Sequence, residues 1–241
     1  MPTLGEEVCG TVLAGGFGTR LRPVLADRPK VLAPVLGRPF LAYLLDQLVR
    51  AGVRQTTLLT GYLADRVEAA FGDDYCGMRL AYSVEASPLG TAGALRHALP
   101  QLDCPVVLVL NGDSYCDLDL AAFFDQHRRS GAKCTVALTE VPDVARFGKV
   151  ALAGGHRITR FEEKSAAGGR GLINAGVYLL ARHLLDEIPP GGAVSLERAL
   201  FPRWAAQGRC HGFAAAGRFL DIGTPESYAS AAAFFAQRRA A

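Results

Sequence analysis

The feature that most constrains the fold of this chain is an alternation of short apolar runs with longer segments of helical periodicity. Residues 9–14 and 106–110 are apolar runs of strand length. In residues 38–51 the apolar side chains recur every three or four positions, and Gly52 marks the end of the segment, which is typical of a helix with one buried face. This alternation predicts an α/β layer architecture with a mainly parallel sheet.

The alternation of predicted strands and helices ends in the second half of the chain, where the connections between strands become too short for helical crossovers. The later strands are therefore expected to be antiparallel additions to the sheet or to a flanking part. The predicted strands are residues 9–14, 55–60, 79–84, 106–110, 134–139, 149–152, 158–161, 173–180 and 209–215, and the predicted helices are residues 38–51, 63–71, 91–99, 118–129, 196–206 and 225–237.

Composition narrows the class of protein. The 241 residues carry a net charge of +3, which a local excess of cations around an anionic substrate explains as well as a nucleic acid does. Because this mildly basic charge is not a nucleic-acid signature, we expect no nucleic-acid partner. We expect no membrane partner either, because no segment approaches the roughly 18 uninterrupted apolar residues of a membrane span. The six cysteines form no C-x-x-C pair, so they are predicted to be reduced core residues of a cytoplasmic protein.

A glycine-rich turn comes directly after the first predicted strand. Gly15, Gly16 and Gly18 lack side chains, so their backbone N–H groups can lie close to a phosphate, and the Thr19 hydroxyl can donate as well. The spacing fits neither the dinucleotide fingerprint nor a Walker A loop. The glycines alone fit a tight strand-to-helix turn without a ligand equally well.

Three cations follow this turn within a short stretch. Arg20, Arg22 and Lys30 would repel one another unless they are solvated or neutralised by an anion. Together with the glycines they favour a triphosphate ligand.

Two aspartates further along the chain are candidate metal ligands. Asp113 follows the apolar run 106–110, at the end of a buried strand where open α/β sheets place ligand chemistry. Asp221 lies in an apolar context, where an unpaired carboxylate is costly. Two carboxylates together with phosphates suit Mg²⁺, although Asp113 alone also fits a helix cap.

Residues 12–23 and 29–35 resemble the signature of the sugar-1-phosphate nucleotidylyltransferases, which is A-G-G-x-G-T-R-L-x-P followed by P-K-x-L-x-P-V. The resemblance extends over residues 9 to about 235. It implies a single domain over residues 1–241 with a Rossmann-like α/β fold, a mixed, mainly parallel central sheet and a small antiparallel sugar-binding part.

The resemblance also implies an activity. Family members transfer a nucleotidyl group from a nucleoside triphosphate to a sugar 1-phosphate and release pyrophosphate, with Mg²⁺ as cofactor. Residues 9–145 would form the nucleotide-binding part, and residues 146–241 would form the sugar-phosphate-binding part and the closing helix. The oligomeric state is left open, with a homodimer as one possibility.

Site residues are assigned by resemblance, position by position. Arg20 and Lys30 match the groups that hold the reacting phosphates, and Asp113 and Asp221 match the metal ligands. The positions matching nucleotide contacts are Ala14, Gly15, Gly16, Gly18, Thr19, Glu85, Pro88, Gly90 and Thr91. The positions matching sugar-phosphate contacts are Gly148, Glu163, Lys164 and Asn174.

Glu85 bears on the choice of base. A carboxylate can accept two parallel hydrogen bonds from N1–H and N2–H of guanine, whereas uracil and thymine offer one N–H on that edge. This favours GTP, although similar family members use glutamate here with uridine nucleotides.

Within the family, the detailed motifs are most similar to those of bacterial D-glycero-α-D-manno-heptose 1-phosphate guanylyltransferases, which make GDP-heptose for capsule or surface glycans. Mannose-1-phosphate guanylyltransferases and N-acetylmuramate-1-phosphate uridylyltransferases are the alternatives. A catalytically silent regulatory subunit is the alternative from another class.

Overall fold

The computed structural model describes residues 4–21, 23–25, 28–162, 168–215 and 217–238. Three residues of the sequence analysis, Arg22, Glu163 and Lys164, lie outside these ranges.

Strands and helices alternate through most of the described chain. The strands are β1 Val8–Leu13, β2 Pro34–Val35, β3 Arg38–Pro39, β4 Gln55–Thr60, β5 Asp74–Tyr75, β6 Met78–Val84, β7 Val106–Asn111, β8 Ser114–Cys116, β9 Cys134–Val141, β10 Val150–Ala153, β11 Arg157–Phe161, β12 Gly171–Ala181, β13 Cys210–Ala214 and β14 Phe219–Asp221. The helices are α1 Leu4–Glu7, α2 Phe40–Arg50, α3 Ala64–Phe71, α4 Gly90–Ala98, α5 Leu120–Ser130, α6 Phe201–Ala206, α7 Pro225–Ala229 and α8 Ala231–Arg238.

Ten of these strands form one mixed sheet in the order β10-β11-β13-β9-β12-β7-β1-β4-β6-β5. The block β7-β1-β4-β6 is parallel throughout, while β12 is antiparallel to both of its neighbours. The mixed α/β architecture is thus confirmed. Among the described residues the sheet contains four parallel and five antiparallel pairs, a larger antiparallel share than expected.

The sheet carries an apolar layer on each face. On one face α2 buries Phe40, Leu44 and Leu48 almost completely, as its three-to-four spacing predicts. On the other face α4 and α6 pack with Leu95 and Trp204 fully buried. None of the described helices combines the length and the apolar character needed to cross a bilayer. Because the parallel strands end at the same edge, the loops after β1, β6 and β7 converge there.

Several regions differ from the prediction, among them the short elements α1, β2, β3 and β5, which it did not include. The closing helix 225–237 is two helices, α7 and α8, which meet at Ser230. The helix expected over residues 196–206 begins as a π-helical turn, Leu196–Leu200, before α6. The strands β8 and β14, which pair antiparallel, were not predicted. Three-residue strands carry too little periodicity to be recognised without their partner.

The prediction that all six cysteines are reduced core residues is wrong for half of them. Cys9 and Cys104 form a disulfide with their Cα atoms 5.9 Å apart, and Cys76 is exposed. The other three cysteines are free and buried. The disulfide joins β1 to the chain just before its neighbour β7, a contact between residues 95 positions apart. Sequence spacing could not reveal this pairing, because it depends on the order of strands in the sheet.

Candidate active site

A cleft of about 290 Å³ opens where β1 and β7 end. It gathers predicted site residues from distant parts of the chain, namely Ala14, Gly15, Gly16, Lys30, Glu85, Pro88, Gly90, Thr91 and Asp113. The predicted residues Gly18, Thr19, Arg20, Gly148, Asn174 and Asp221 do not line this cleft.

Gly15 lies directly against the carboxylate of Glu85. A Cβ atom at Gly15 would lie 2.6 Å from Glu85 Oε1, well inside contact distance, and one at Gly61 would lie 2.9 Å from Glu85 Cγ. The glycine turn after β1 therefore lets a carboxylate from the end of β6 enter the same cleft.

The Glu85 carboxylate is held by the backbone that follows it. Its Oε2 accepts a hydrogen bond of 3.1 Å from the Leu89 N–H. Burial raises the pKa of Glu85, while the Leu89 N–H and the charge of His97 oppose that rise. Within the described residues Glu85 Oε1 has no hydrogen-bond partner, so this partly desolvated carboxylate is well suited to accept hydrogen bonds from a ligand.

Lys30 and Asp113 form an ion pair in the cleft. Lys30 begins a 3₁₀ turn, Lys30–Leu32, and its Nζ lies 2.6 Å from Asp113 Oδ2. The lysine side chain is 12% exposed and the aspartate side chain 44%. A largely buried ammonium needs a counter-charge. The ion pair with Asp113 therefore holds the Lys30 ammonium at the cleft.

Asp221 is brought beside Asp113 by the β8–β14 ribbon. Asp221 pairs with Ser114 across the ribbon, and the Ile222 N–H donates to the Asp113 carbonyl at 2.8 Å. The Asp221 carboxylate accepts from the Gly223 N–H at 2.7 Å and from Arg146 at 3.2 Å. Each predicted metal ligand thus has a cationic partner, Lys30 or Arg146.

These carboxylates fit the predicted magnesium chemistry. No group of three or more His, Cys, Asp or Glu side chains suited to a metal occurs among the described residues. Mg²⁺ does not need one, because it is usually bound through one or two carboxylates together with substrate phosphates and waters. Asp113, in the turn between β7 and β8 at the cleft, and Asp221, at the end of β14, are two carboxylates that could serve in this way.

Arg20 approaches the Asp221 side of the site. Its Nη2 lies 3.6 Å from the position that a Cβ atom would take at Gly223, next to Asp221. The cation predicted to follow the glycine turn is therefore placed near the second metal-ligand candidate.

The predicted sugar side is described only in part, since Glu163 and Lys164 lie outside the described residues. Gly148 is buried in a turn and donates to the Val144 carbonyl at 3.0 Å. The Asn174 side chain donates to Tyr178 Oη at 3.0 Å and accepts from the Gly176 N–H at 2.8 Å. Sugar-phosphate binding by these residues stays a prediction.

Sequence reasoning gave no site role to Glu197 or to Asn111. Glu197 accepts a 2.8 Å hydrogen bond from Thr91, which lines the cleft. Asn111 lines the cleft itself and donates to Tyr178 Oη at 3.3 Å. The contact between Thr91 and Glu197 spans 106 positions, and no local pattern marks a carboxylate for such a role.

Gly112 gives a stability prediction. A Cβ atom there would lie 2.5 Å from the Leu13 carbonyl oxygen and 2.8 Å from Val31 Cγ1. Because backbone cannot yield as a flexible side chain can, Gly112→Ala should lower the free energy of unfolding by about 1–3 kcal/mol. Gly154→Ala is the matched control, since nothing lies within 4 Å of that position. Equal urea-unfolding midpoints for the two variants would contradict the close approach.

Comparison with known proteins gives concordant matches. The nucleotidyl transferase family matches residues 9–238. A mannose-1-phosphate guanylyltransferase of Mycobacterium tuberculosis is 38% identical over 226 residues, which cover 92% of this chain but 63% of that protein. A D-glycero-alpha-D-manno-heptose 1-phosphate guanylyltransferase of Aneurinibacillus thermoaerophilus is 34% identical over 220 residues, which cover 91% of this chain and 95% of that protein.

Solved structures agree with these sequence matches. HddC from Yersinia pseudotuberculosis superposes with a TM-score of 0.84 at 32% identity, over 94% of this chain and 99% of that chain. A structure of HddC complexed with GMP-PN superposes with a TM-score of 0.83 at the same identity.

Proposed function

This chain belongs to the nucleotidyl transferase family, and we propose that it transfers a guanylyl group from GTP to a sugar 1-phosphate. The products are a GDP-sugar and pyrophosphate. The observation that carries the proposal is the convergence of the glycine turn, Glu85 and the Lys30–Asp113 pair on one cleft. The guanylyltransferase names of the relatives support the choice of base.

The reaction requires that the enzyme position the two substrates and stabilise the phosphate charge, and it requires no covalent intermediate. A phosphate oxygen of the sugar 1-phosphate attacks the α-phosphorus of GTP, and the bond from that phosphorus to the bridging oxygen of the pyrophosphate breaks. No general base is needed, because a sugar phosphate is already ionised at neutral pH. Lys30 and Arg20 offset the phosphate charge and align the reacting groups. Asp113 and Asp221 would hold Mg²⁺, which neutralises further phosphate charge when bound.

For the sugar we favour D-glycero-α-D-manno-heptose 1-phosphate, which would give GDP-heptose for capsule or surface polysaccharide in the cytoplasm. The heptose-specific name of the Aneurinibacillus thermoaerophilus relative, which aligns with this chain over 95% of its own length, supports this choice. Mannose 1-phosphate is the second candidate, because the mycobacterial mannose enzyme is 38% identical. Comparing kcat/KM for the two sugar 1-phosphates with GTP decides between them. A higher kcat/KM with mannose 1-phosphate than with the heptose 1-phosphate would identify mannose 1-phosphate as the substrate.

Glu85→Gln tests the choice of base. The amide keeps one acceptor but turns an N–H donor towards a donor of guanine, so one of the two charge-assisted hydrogen bonds is lost. We expect kcat/KM for GTP to fall about tenfold to a hundredfold, and any activity with UTP to change less. A wild-type enzyme that prefers UTP to GTP would contradict this role of Glu85.

The wild type and the Glu85→Gln variant are expected to differ in the pH dependence of GTP binding. Guanine binding needs the ionised carboxylate, and burial raises the pKa of Glu85 above its ordinary value. As the pH falls, KM for GTP of the wild type should therefore begin to rise at a higher pH than it would if Glu85 had the ordinary pKa of a glutamate. The Gln variant, which does not titrate, should lack this rise.

A further inference from the structure

Glu197 is the acceptor at the centre of a hydrogen-bond network behind the cleft. Its Oε2 accepts from Thr91 Oγ1 and from Ser195 Oγ, each at 2.8 Å, and its Oε1 accepts from Tyr178 Oη at 3.4 Å. Glu197 stands near the start of the π-helical turn Leu196–Leu200. Three hydroxyl groups from separate parts of the chain thus converge on one carboxylate.

The direction of every hydrogen bond around Tyr178 follows from this carboxylate. Tyr178 is fully buried, and burial followed by the charge of Glu197 raises its pKa well above the ordinary value, so the phenol keeps its proton. An ionised carboxylate can only accept, so that proton points to Glu197. The amides of Asn111 and Asn174 must then both donate to Tyr178 Oη.

The network reaches both halves of the proposed site. On the nucleotide side, Thr91 lies in the first turn of α4 and lines the cleft, and its hydroxyl also accepts from the Leu196 N–H at 2.8 Å. On the other side, Tyr178 and Asn174 belong to β12, which carries the predicted sugar-binding segment. Glu197 therefore connects a wall of the nucleotide cleft to the strand expected to bind the sugar.

We propose that Glu197 is a positioning residue that couples the nucleotide half of the site to the sugar half. The inference rests on the proposed function, since it assigns Glu197 to the alignment of those two substrates. Glu197 need not touch either of them, because it acts through Thr91 and Tyr178. A glutamine in its place has an N–H₂ group that cannot accept, so at least one of the converging hydroxyl groups loses its partner and the donor order around Tyr178 is no longer fixed.

The test is the variant Glu197→Gln, compared with the matched variant Glu187→Gln. Glu187 is also a hydrogen-bonded carboxylate, held by Arg209 and Trp204, but it follows β12 at the edge of the sheet opposite the cleft. For Glu197→Gln we expect KM for GTP and KM for the sugar 1-phosphate each to rise about tenfold. For Glu187→Gln both values should stay within about twofold of the wild type, whatever happens to its melting temperature.

Single substitutions at the two ends separate coupling from a local effect. Thr91→Val should raise mainly KM for GTP, and Tyr178→Phe mainly KM for the sugar 1-phosphate. Adding either substitution to Glu197→Gln should then cause little further change, because the connection is already lost.

Four results would overturn the inference. A purely structural role predicts that Glu197→Gln lowers the melting temperature and the active fraction but leaves both KM values unchanged. An increase in one KM alone contradicts coupling. Wild-type protein that binds GTP but turns over no sugar 1-phosphate contradicts the proposed function as well, whereas an active enzyme with an unaffected Glu197→Gln variant contradicts this inference alone.

Discussion

Asp113→Asn is expected to lower kcat about a thousandfold while the protein stays folded. The substitution keeps the shape of the side chain but removes the charge that pairs with Lys30 at 2.6 Å and that a magnesium ion would need. Loss of one preorganised electrostatic contact of this kind typically costs a factor of about 100–1,000 in turnover. The Asp113 side chain is 44% exposed, so water can replace part of its contact with Lys30 and the folded state should persist, at a lower melting temperature because Lys30, 12% exposed, loses its counter-charge.

The measurement is pyrophosphate release at saturating GTP and sugar 1-phosphate, together with thermal unfolding. Asp46→Asn is the matched control, because Asp46 is also ion-paired, to Arg38 at 3.0 Å, but lies on α2 away from the cleft. The control should keep near-normal turnover. If Asp113→Asn keeps it too, Asp113 does not take part in the reaction.

Lys30→Met should weaken GTP binding and lower turnover together, with kcat/KM for GTP falling about a hundredfold or more. Methionine preserves most of the length and apolar volume of the side chain. It removes a cation whose side chain is 12% exposed and which faces the cleft beside Asp113. Phosphate charge would then be left without the nearest positive group, and Asp113 would lose its counter-charge.

Calorimetry with GTP and steady-state kinetics separate the two effects of Lys30→Met. Lys133→Met serves as control, because Lys133 is exposed and precedes β9 outside the cleft. A Lys30→Met variant with wild-type affinity and wild-type kcat would mean that phosphate neutralisation comes from other cations.

Local patterns were sufficient for much of the fold. The strand over residues 55–60 and the helix within residues 38–51 are found where periodicity placed them. The glycine turn and Glu85 do share one cleft, and Gly15 lies directly against the Glu85 carboxylate.

Contacts between distant residues account for what the sequence could not reveal. The Cys9–Cys104 disulfide depends on β1 and β7 being neighbours. Arg146 meets Asp221 across 75 positions of the chain, and Glu197 is tied to Thr91 and Tyr178 only through the packed structure. None of these contacts is marked by a local pattern in the sequence, because the two partners of each lie in different elements.

The most direct test of the central claim is pyrophosphate release by the wild-type protein with GTP, Mg²⁺ and a panel of sugar 1-phosphates. We predict release that requires both substrates, is fastest with GTP among the nucleoside triphosphates and yields a GDP-sugar of matching mass. Absence of pyrophosphate and of nucleotide sugar with every pair, from protein shown to be folded, would contradict the transferase assignment and would favour a catalytically silent member of the family.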